Sequence, residues 1–150
     1  MTVATEKARI IAILDTNSDI VSVLKGSLRE INSTPAFFVI AGDSTRTLRG
    51  GDQIITERNY SIFGCIKAVE EGREFDAEEE LEAWYTTIGN LFDTRPGLWL
   101  TDYSDTLDGV QEAFLVSDSG FGVIEVAGTN YAGSEWILRV VSHKLVTRGG

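Results

Sequence analysis

The chain has one cysteine, one histidine, two prolines and one methionine in 150 residues. A lone Cys65 can close no internal disulfide and offers no thiolate framework to a metal, so packing has to hold the fold. It sits in an alternating stretch, where a small inert hydrophobe is expected rather than a reactive thiol. With His143 as the one histidine, a Ser-His-Asp or Cys-His arrangement would have to be built around it, and its setting in "VVSHKLV" suits a structural or surface role. Long apolar runs are missing too. Ile10 to Leu14 and Ala36 to Ala41 fall far short of the roughly 20 residues of a membrane-spanning helix. The N-terminus has no signal-peptide pattern, which predicts a protein made and kept in a cytoplasm. Basic residues are scarce: 13 Lys and Arg against 23 Asp and Glu leave a net charge of −10, which argues against nucleic-acid binding through phosphate contacts. The nearest approach to a basic patch, Arg46, Arg49 and Arg58 in "STRTLRGGDQIITER", is interrupted by Asp52 and Glu57 and reads as a solvated loop.

What is present is ordinary for a folded protein. Hydrophobic residues make up 43% and charged residues 24% of the chain, near the average for soluble globular domains. Residues 1–150 are read as a single domain, since no repeat, low-complexity tract or change of composition marks a linker.

The most unusual stretch is "EEGREFDAEEELEAWYTTIGNLF", residues 70 to 92, which places eight carboxylates in its first thirteen positions and then turns apolar. Asp76 followed by Glu79 matches an N-cap with a third-position carboxylate, and Glu78, Glu79 and Glu80 fall in a first turn beside the positive end of the helix dipole. Behind them Leu81, Trp84, Tyr85, Ile88, Leu91 and Phe92 recur at three- and four-residue spacing, an apolar stripe for docking on a sheet. The acids therefore read as the wet start of a helix, because general acid-base pairs work across a cleft from separate elements.

Around this helix the pattern is mostly β. "VATEKARIIAIL" predicts a first helix with Ala4, Ala8, Ile11 and Leu14 on its apolar side, and "DIVSVLKGS" a short strand. Pro35 leads into "AFFVIAG", a run suited to a central strand covered on both faces. "DSTRTLRGGDQ" has paired glycines and no apolar face, and reads as a long flexible connection or an extended arm. "ERNYSIFGCIKA" alternates as a half-buried strand. "EAFLVS", "FGVIEVAG" and "SEWILRVVSHKLV" follow as strands separated by "DSG" and "TNYAG" turns. In the last of them Trp136, Leu138 and Val140 share one face, and Ile137, Val141 and Leu145 the other. With no crossover helix in this third, the strands pair antiparallel, giving an α+β fold with two main helices on one face of a mostly antiparallel sheet.

No motif carries chemistry. Ser44 in "AGDSTR" lacks the second glycine of a nucleophile elbow. Asp102, Asp105 and Asp108 in "DYSDTLDG" are spaced by three, where a helix-loop-helix calcium site needs acids at every second position and a glutamate at the twelfth, so this is read as a solvated turn. "GFG" at 120 to 122 and "RGG" at 49 to 51 lack the spacing of phosphate-cradling loops.

The order of elements, with "STPAFFVIAGD" and "YAGSEWILRV" as its nearest echoes, resembles the tail terminator (tail completion) proteins of long-tailed bacteriophages. The resemblance spans nearly the whole chain and lies in pattern and length rather than in a sharp motif. It implies a non-enzymatic structural protein of the virion, located at the neck end of the tail and assembled in the host cytoplasm. Six copies would form a homo-hexameric ring on the last layer of the tail tube, stop polymerisation and offer a docking surface to the head-completion or connector protein. The partners implied are a second copy of the chain, the tail tube protein and the connector, with DNA passing through the lumen unbound and no membrane. An acidic chain is compatible with such a channel. Within the same class another neck or tail-tube protein is the alternative, and outside it a small α+β enzyme or ligand-binding domain, which a convergent polar pocket around His143 or Asp102 would favour. For a ring, the expected subunit contacts are Arg46, Leu48 and Arg49 of the arm against Glu78 and Glu79 of the acidic helix start, with the strand around Trp136 as a further surface.

No catalytic, cofactor-binding or metal-binding residues are assigned. The purified protein is accordingly expected to carry no metal or nucleotide, and either one recovered in stoichiometric amount by elemental analysis or mass spectrometry would overturn this reading.

Overall fold

The computed structural model describes residues 3–25, 31–69 and 78–145. Its elements run α1 (Val3–Asp15), β1 (Ser22–Val23), β2 (Ala36–Arg49), β3 (Gln53–Ala68), α2 (Glu78–Asp93), β4 (Val110–Asp118), β5 (Gly122–Val126) and β6 (Thr129–Leu145). The strands make one sheet in the order β1-β2-β3-β6-β4, with β5 also on β6. Only β1 on β2 is parallel, so the fold is α+β with a mostly antiparallel sheet.

The spine of the sheet is β6. One edge of it pairs with β3 from Tyr131 to Leu145, while the other is shared by β5, opposite Thr129 to Gly133, and β4, opposite Trp136 to Ser142. The turn expected at "TNYAG" is therefore absent, because Thr129 to Gly133 already belong to β6. The chain reverses one step earlier, at Ala127 (φ 51°) and Gly128 (φ 83°), the pair of positive φ values that a two-residue hairpin needs. Alanine at the first of these positions carries no turn signal, and the asparagine and glycine that follow misdirect the reading.

Alternation sorts the strand residues onto two faces. On one, Phe37, Val39, Tyr60, Ile62, Trp136, Leu138 and Val140 join α1 and α2 in the main core. On the other, Ala36, Phe38, Cys65, Val126 and Tyr131 form a smaller cluster with Ile31. Cys65 is fully buried there, and burial pushes its thiol up to about 11. That placement is the inert hydrophobe its alternating context predicts.

Helix α2 follows its sequence pattern: Leu81, Trp84, Ile88 and Phe92 are buried, and Tyr85 and Leu91 pack against them half-buried. Glu78, Glu79 and Glu80 occupy the first turn and are exposed, while Asp76, the expected N-cap, lies outside the described residues. The helix docks through an aromatic cluster, with Phe37 5.3 Å from Trp84 and 6.0 Å from Trp136 between ring centroids, and Tyr85 edge-on to Trp136 at 5.7 Å. Gly64 lies beneath it. A Cβ there would stand 2.6 Å from a Phe37 ring carbon and 2.9 Å from one of Trp136, so the cluster occupies the space that any side chain at 64 would need.

Helix α1 forms as expected and buries Ile11 and Leu14 as expected, but its first half is turned. Ala4 and Ala8, expected on the apolar side, are exposed, and Glu6, Ile10, Ile13 and Leu14 point inward beside Ile11. Burying isoleucine side chains gains more than burying alanine methyls, and the inward glutamate has a partner, described below. Arg9 on the same helix donates to the Leu98 and Asp105 carbonyls at 3.2 and 3.0 Å, and pairs with the Asp105 carboxylate at 3.2 Å. This ties α1 to the connection between α2 and β4.

Residues 43 to 53 are not a flexible connection but an extended, paired arm. They belong mostly to the outer half of the β2–β3 hairpin, paired from Ser44↔Arg58 to Arg49↔Gln53 and reversed at Gly50 (φ 61°), Gly51 (φ 81°) and Asp52. From Gly42 to Arg49 every residue of β2 is exposed, so neither face demands apolar residues and the period-2 signal that identifies a strand is missing.

Core and surface on α2 should separate in chemical denaturation. Leu81→Ala is expected to cost about 2–5 kcal/mol, Gly64→Ala about 1–3 kcal/mol through overpacking under the aromatic cluster, and Glu80→Gln no more than about 0.5 kcal/mol. Equal costs for Glu80→Gln and Leu81→Ala would contradict this assignment of faces.

Candidate functional site: a basic cleft beside the hairpin arm

Strands β2, β3 and β6 continue past the end of α2. Three successive rows on the core-side face read Ser44, Arg58 and Val140, then Arg46, Thr56 and Ser142, then Leu48, Ile54 and Lys144. Alternation places each row on the same face as Tyr60 and Leu138 one step inward. The start of α1 overhangs these rows with Val3 and Glu6, and the space between is a cleft of about 290 Å³.

Its inner wall includes a buried acid, Glu6, which is held from behind by a phenol. Glu6 is 4% exposed and its Oε1 accepts the Tyr60 hydroxyl at 2.5 Å. Burial first, then the bond to Glu6 and the Glu6 charge, hold the Tyr60 hydroxyl far above its ordinary range, against a smaller opposing pull from Arg58. The outer wall is cationic, with Arg46, Arg58 and Lys144 bordering the opening. The one salt bridge among the described residues is Arg9 to Asp105, so none of these three cations is matched by a carboxylate at ion-pair distance there. The acids of the same hairpin, Asp43, Asp52 and Glu57, do not line the cleft.

His143 is among the residues that line this polar cleft, at a strand position whose side chain alternates away from it. His143 is exposed and pairs with Ile55, so alternation directs its ring to the face opposite that of Ser142 and Lys144. Ser44 stands exposed on β2 opposite Arg58. In the 3₁₀ turn Tyr103–Asp105, Asp102 caps by accepting from the Ser104 amide at 2.9 Å and from its hydroxyl, which lowers the carboxyl below its usual range, while Asp105 is held by Arg9 and the Leu100 amide. Asp108 is exposed. Among the described residues no group of three His, Cys, Asp or Glu is placed to hold a metal, and no helix is long and apolar enough to cross a membrane.

Of the expected contact residues, Arg46, Leu48 and Arg49 are exposed on the hairpin and Glu78 and Glu79 on α2. Trp136 is not a surface residue: 3% exposed, it stacks in the core, so β6 offers its other face, with Ile137, Arg139 and Val141 half-exposed. The basic and acidic groups lie apart within one chain. Helix α2 starts over the Phe37 and Trp136 rows and leads to Pro96, whose carbonyl accepts the Ala113 amide at 2.6 Å beside Val140, so the arm begins where α2 has already ended. Sequence reasoning took Arg46 and Arg58 for a solvated loop, with Arg46 also expected as a ring contact, and it missed Glu6 and Lys144. Neither carries a local signal, since the hairpin register alone brings them together.

Comparison with protein-family models and with curated proteins gives no match.

Tyr60→Phe leaves the Glu6 carboxylate buried without its donor, and should cost about 1–3 kcal/mol. Above about pH 10 the unfolded chain releases the Tyr60 proton while the folded chain keeps it, so this residue makes wild-type stability fall as pH rises. Denaturation at about pH 8 and about pH 11 should show a smaller alkaline loss in Tyr60→Phe than in wild type. An equal loss would remove Tyr60 from the account.

Proposed function

We propose that this protein is a structural assembly subunit of a bacteriophage virion, similar to tail terminators, forming a closed ring on the end of the tail tube that stops polymerisation and presents a surface to the head connector. The observation that carries the reading is the arm: paired strands of β2 and β3 extend past α2, with only the start of α1 beside them, and the whole outer half of β2 is exposed. An ordered, solvent-covered extension is costly for an isolated domain to maintain and useful to one whose neighbour covers it. Contacts between two different patches of one surface close into a ring when the rotation between subunits is right. A net charge of −10 supports a lumen through which DNA slides without adhering.

The cleft supports a second reading, a small domain that binds an anionic ligand, since arginines and a lysine with no carboxylate partner among the described residues, beside hydroxyls, suit a carboxylate or phosphate. Size separates the two: that domain remains a monomer and takes up the anion.

Deleting Arg46–Arg49 together with Gln53–Thr56 shortens the hairpin by the same length on each side and keeps the Gly50 turn and the Thr45↔Glu57 pair. Rings and tail capping should be lost by light scattering and electron microscopy, with the thermal transition lowered only a few degrees. Rings of normal size on tails of normal length would show that the arm is not the interface.

A further inference from the structure

We propose that the basic cleft is a docking site for the acidic start of α2 of a second copy, so that the copies associate head to tail. This rests on the ring reading and names the contact that would make it.

Four observations converge. The cleft gathers Arg46, Arg58 and Lys144 in a chain with only 13 basic residues, and none of the three has a carboxylate at ion-pair distance among the described residues. The one acid that lines the cleft, Glu6, is buried and accepts the Tyr60 hydroxyl at Oε1. At the other end of the molecule Glu78, Glu79, Glu80 and Glu82 are exposed and likewise form no described salt bridge. The two groups cannot meet within one chain: from the Ile62↔Trp136 row to the Thr56↔Ser142 row is about 20 Å of strand, and the acidic turn lies at the far end of α2 from the arm. Complementary patches at opposite ends of one subunit can meet each other only between copies, and such a contact repeats from copy to copy. Interactions of this kind set orientation and encounter rate more than affinity.

The test is a charge exchange read by sedimentation. One variant carries Arg46→Glu and Lys144→Glu, a second carries Glu78→Lys, Glu79→Lys and Glu80→Lys, and a third carries all five substitutions. All five positions are exposed, and thermal transitions report folding. From the wild-type −10 the first variant moves to −14 (two changes of −2), the second to −4 (three changes of +2) and the third to −8. If net charge alone governed association, the second would assemble best. The proposal expects both single-patch variants to lose association at least about ten-fold, and expects it to return in the third variant and in an equal mixture of the first two. Raising salt from about 50 mM to about 500 mM should weaken wild-type association, a measurement that needs no variant.

Oligomers that persist in both single-patch variants, or that ignore salt, overturn the docking and leave the ring reading standing. A folded third variant no better than the other two also overturns it. A wild type that stays monomeric at high concentration and binds inorganic phosphate overturns both readings.

Discussion

Much of this fold depends on the absence of a side chain at one position. Gly64 lies in the middle of β3 under the Phe37 and Trp136 rings, and α2 reaches the sheet by packing Trp84 and Tyr85 on those rings. Aromatic side chains bury large areas and add geometric preference through tilted and offset contacts. A methyl group at 64 would lift Phe37 or Trp136 and, with them, the docking face of α2. The neighbouring row makes a related demand: a Cβ on Gly133 would stand 2.0 Å from the Gly64 carbonyl oxygen, so β3 and β6 approach each other there more closely than any residue with a side chain at 133 allows.

From this point the sheet changes character along its length. Around Gly64 it is covered on both faces, by the helices on one and by the smaller Phe38 and Tyr131 cluster on the other. Toward the hairpin α2 ends, cationic and hydroxyl side chains join apolar ones such as Leu48 and Ile54, and the backbone ladder continues with the outer half of β2 exposed. The Glu6 to Tyr60 bond marks the boundary: one row inward the face is apolar core, one row outward it is the Arg58 row of the cleft. A buried carboxylate is tolerated there because it receives a hydroxyl donor.

Those two halves differ in how legible they were. Where one face is covered, burial imposes a period, and the α2 stripe from Leu81 to Phe92 and the run Ala36 to Ala41 could be read from residue order. Where nothing covers the chain, no period is imposed, and the outer part of β2 looked like a loop although it is continuously paired. The α1 face was misjudged for another reason: spacing alone favoured Ala4 and Ala8, while the volume of Ile10 and Ile13 and a hydrogen bond from a residue 54 positions away decided the rotation. The cleft was the least legible feature, because Glu6, Arg58 and Lys144 are brought together only by long-range register.

The continuity of β6 also has a mechanical meaning. One uninterrupted strand of 17 residues runs from beside the Phe38 and Tyr131 cluster to the outer rows of the arm, hydrogen-bonded to β3 along nearly all of it. A load applied to the hairpin tip along the strands acts on that ladder in shear, so many bonds must fail together, whereas a load across the strands would peel them one at a time. The arm is therefore stiff in the direction of its own length and compliant sideways, the behaviour of a strut anchored in the core.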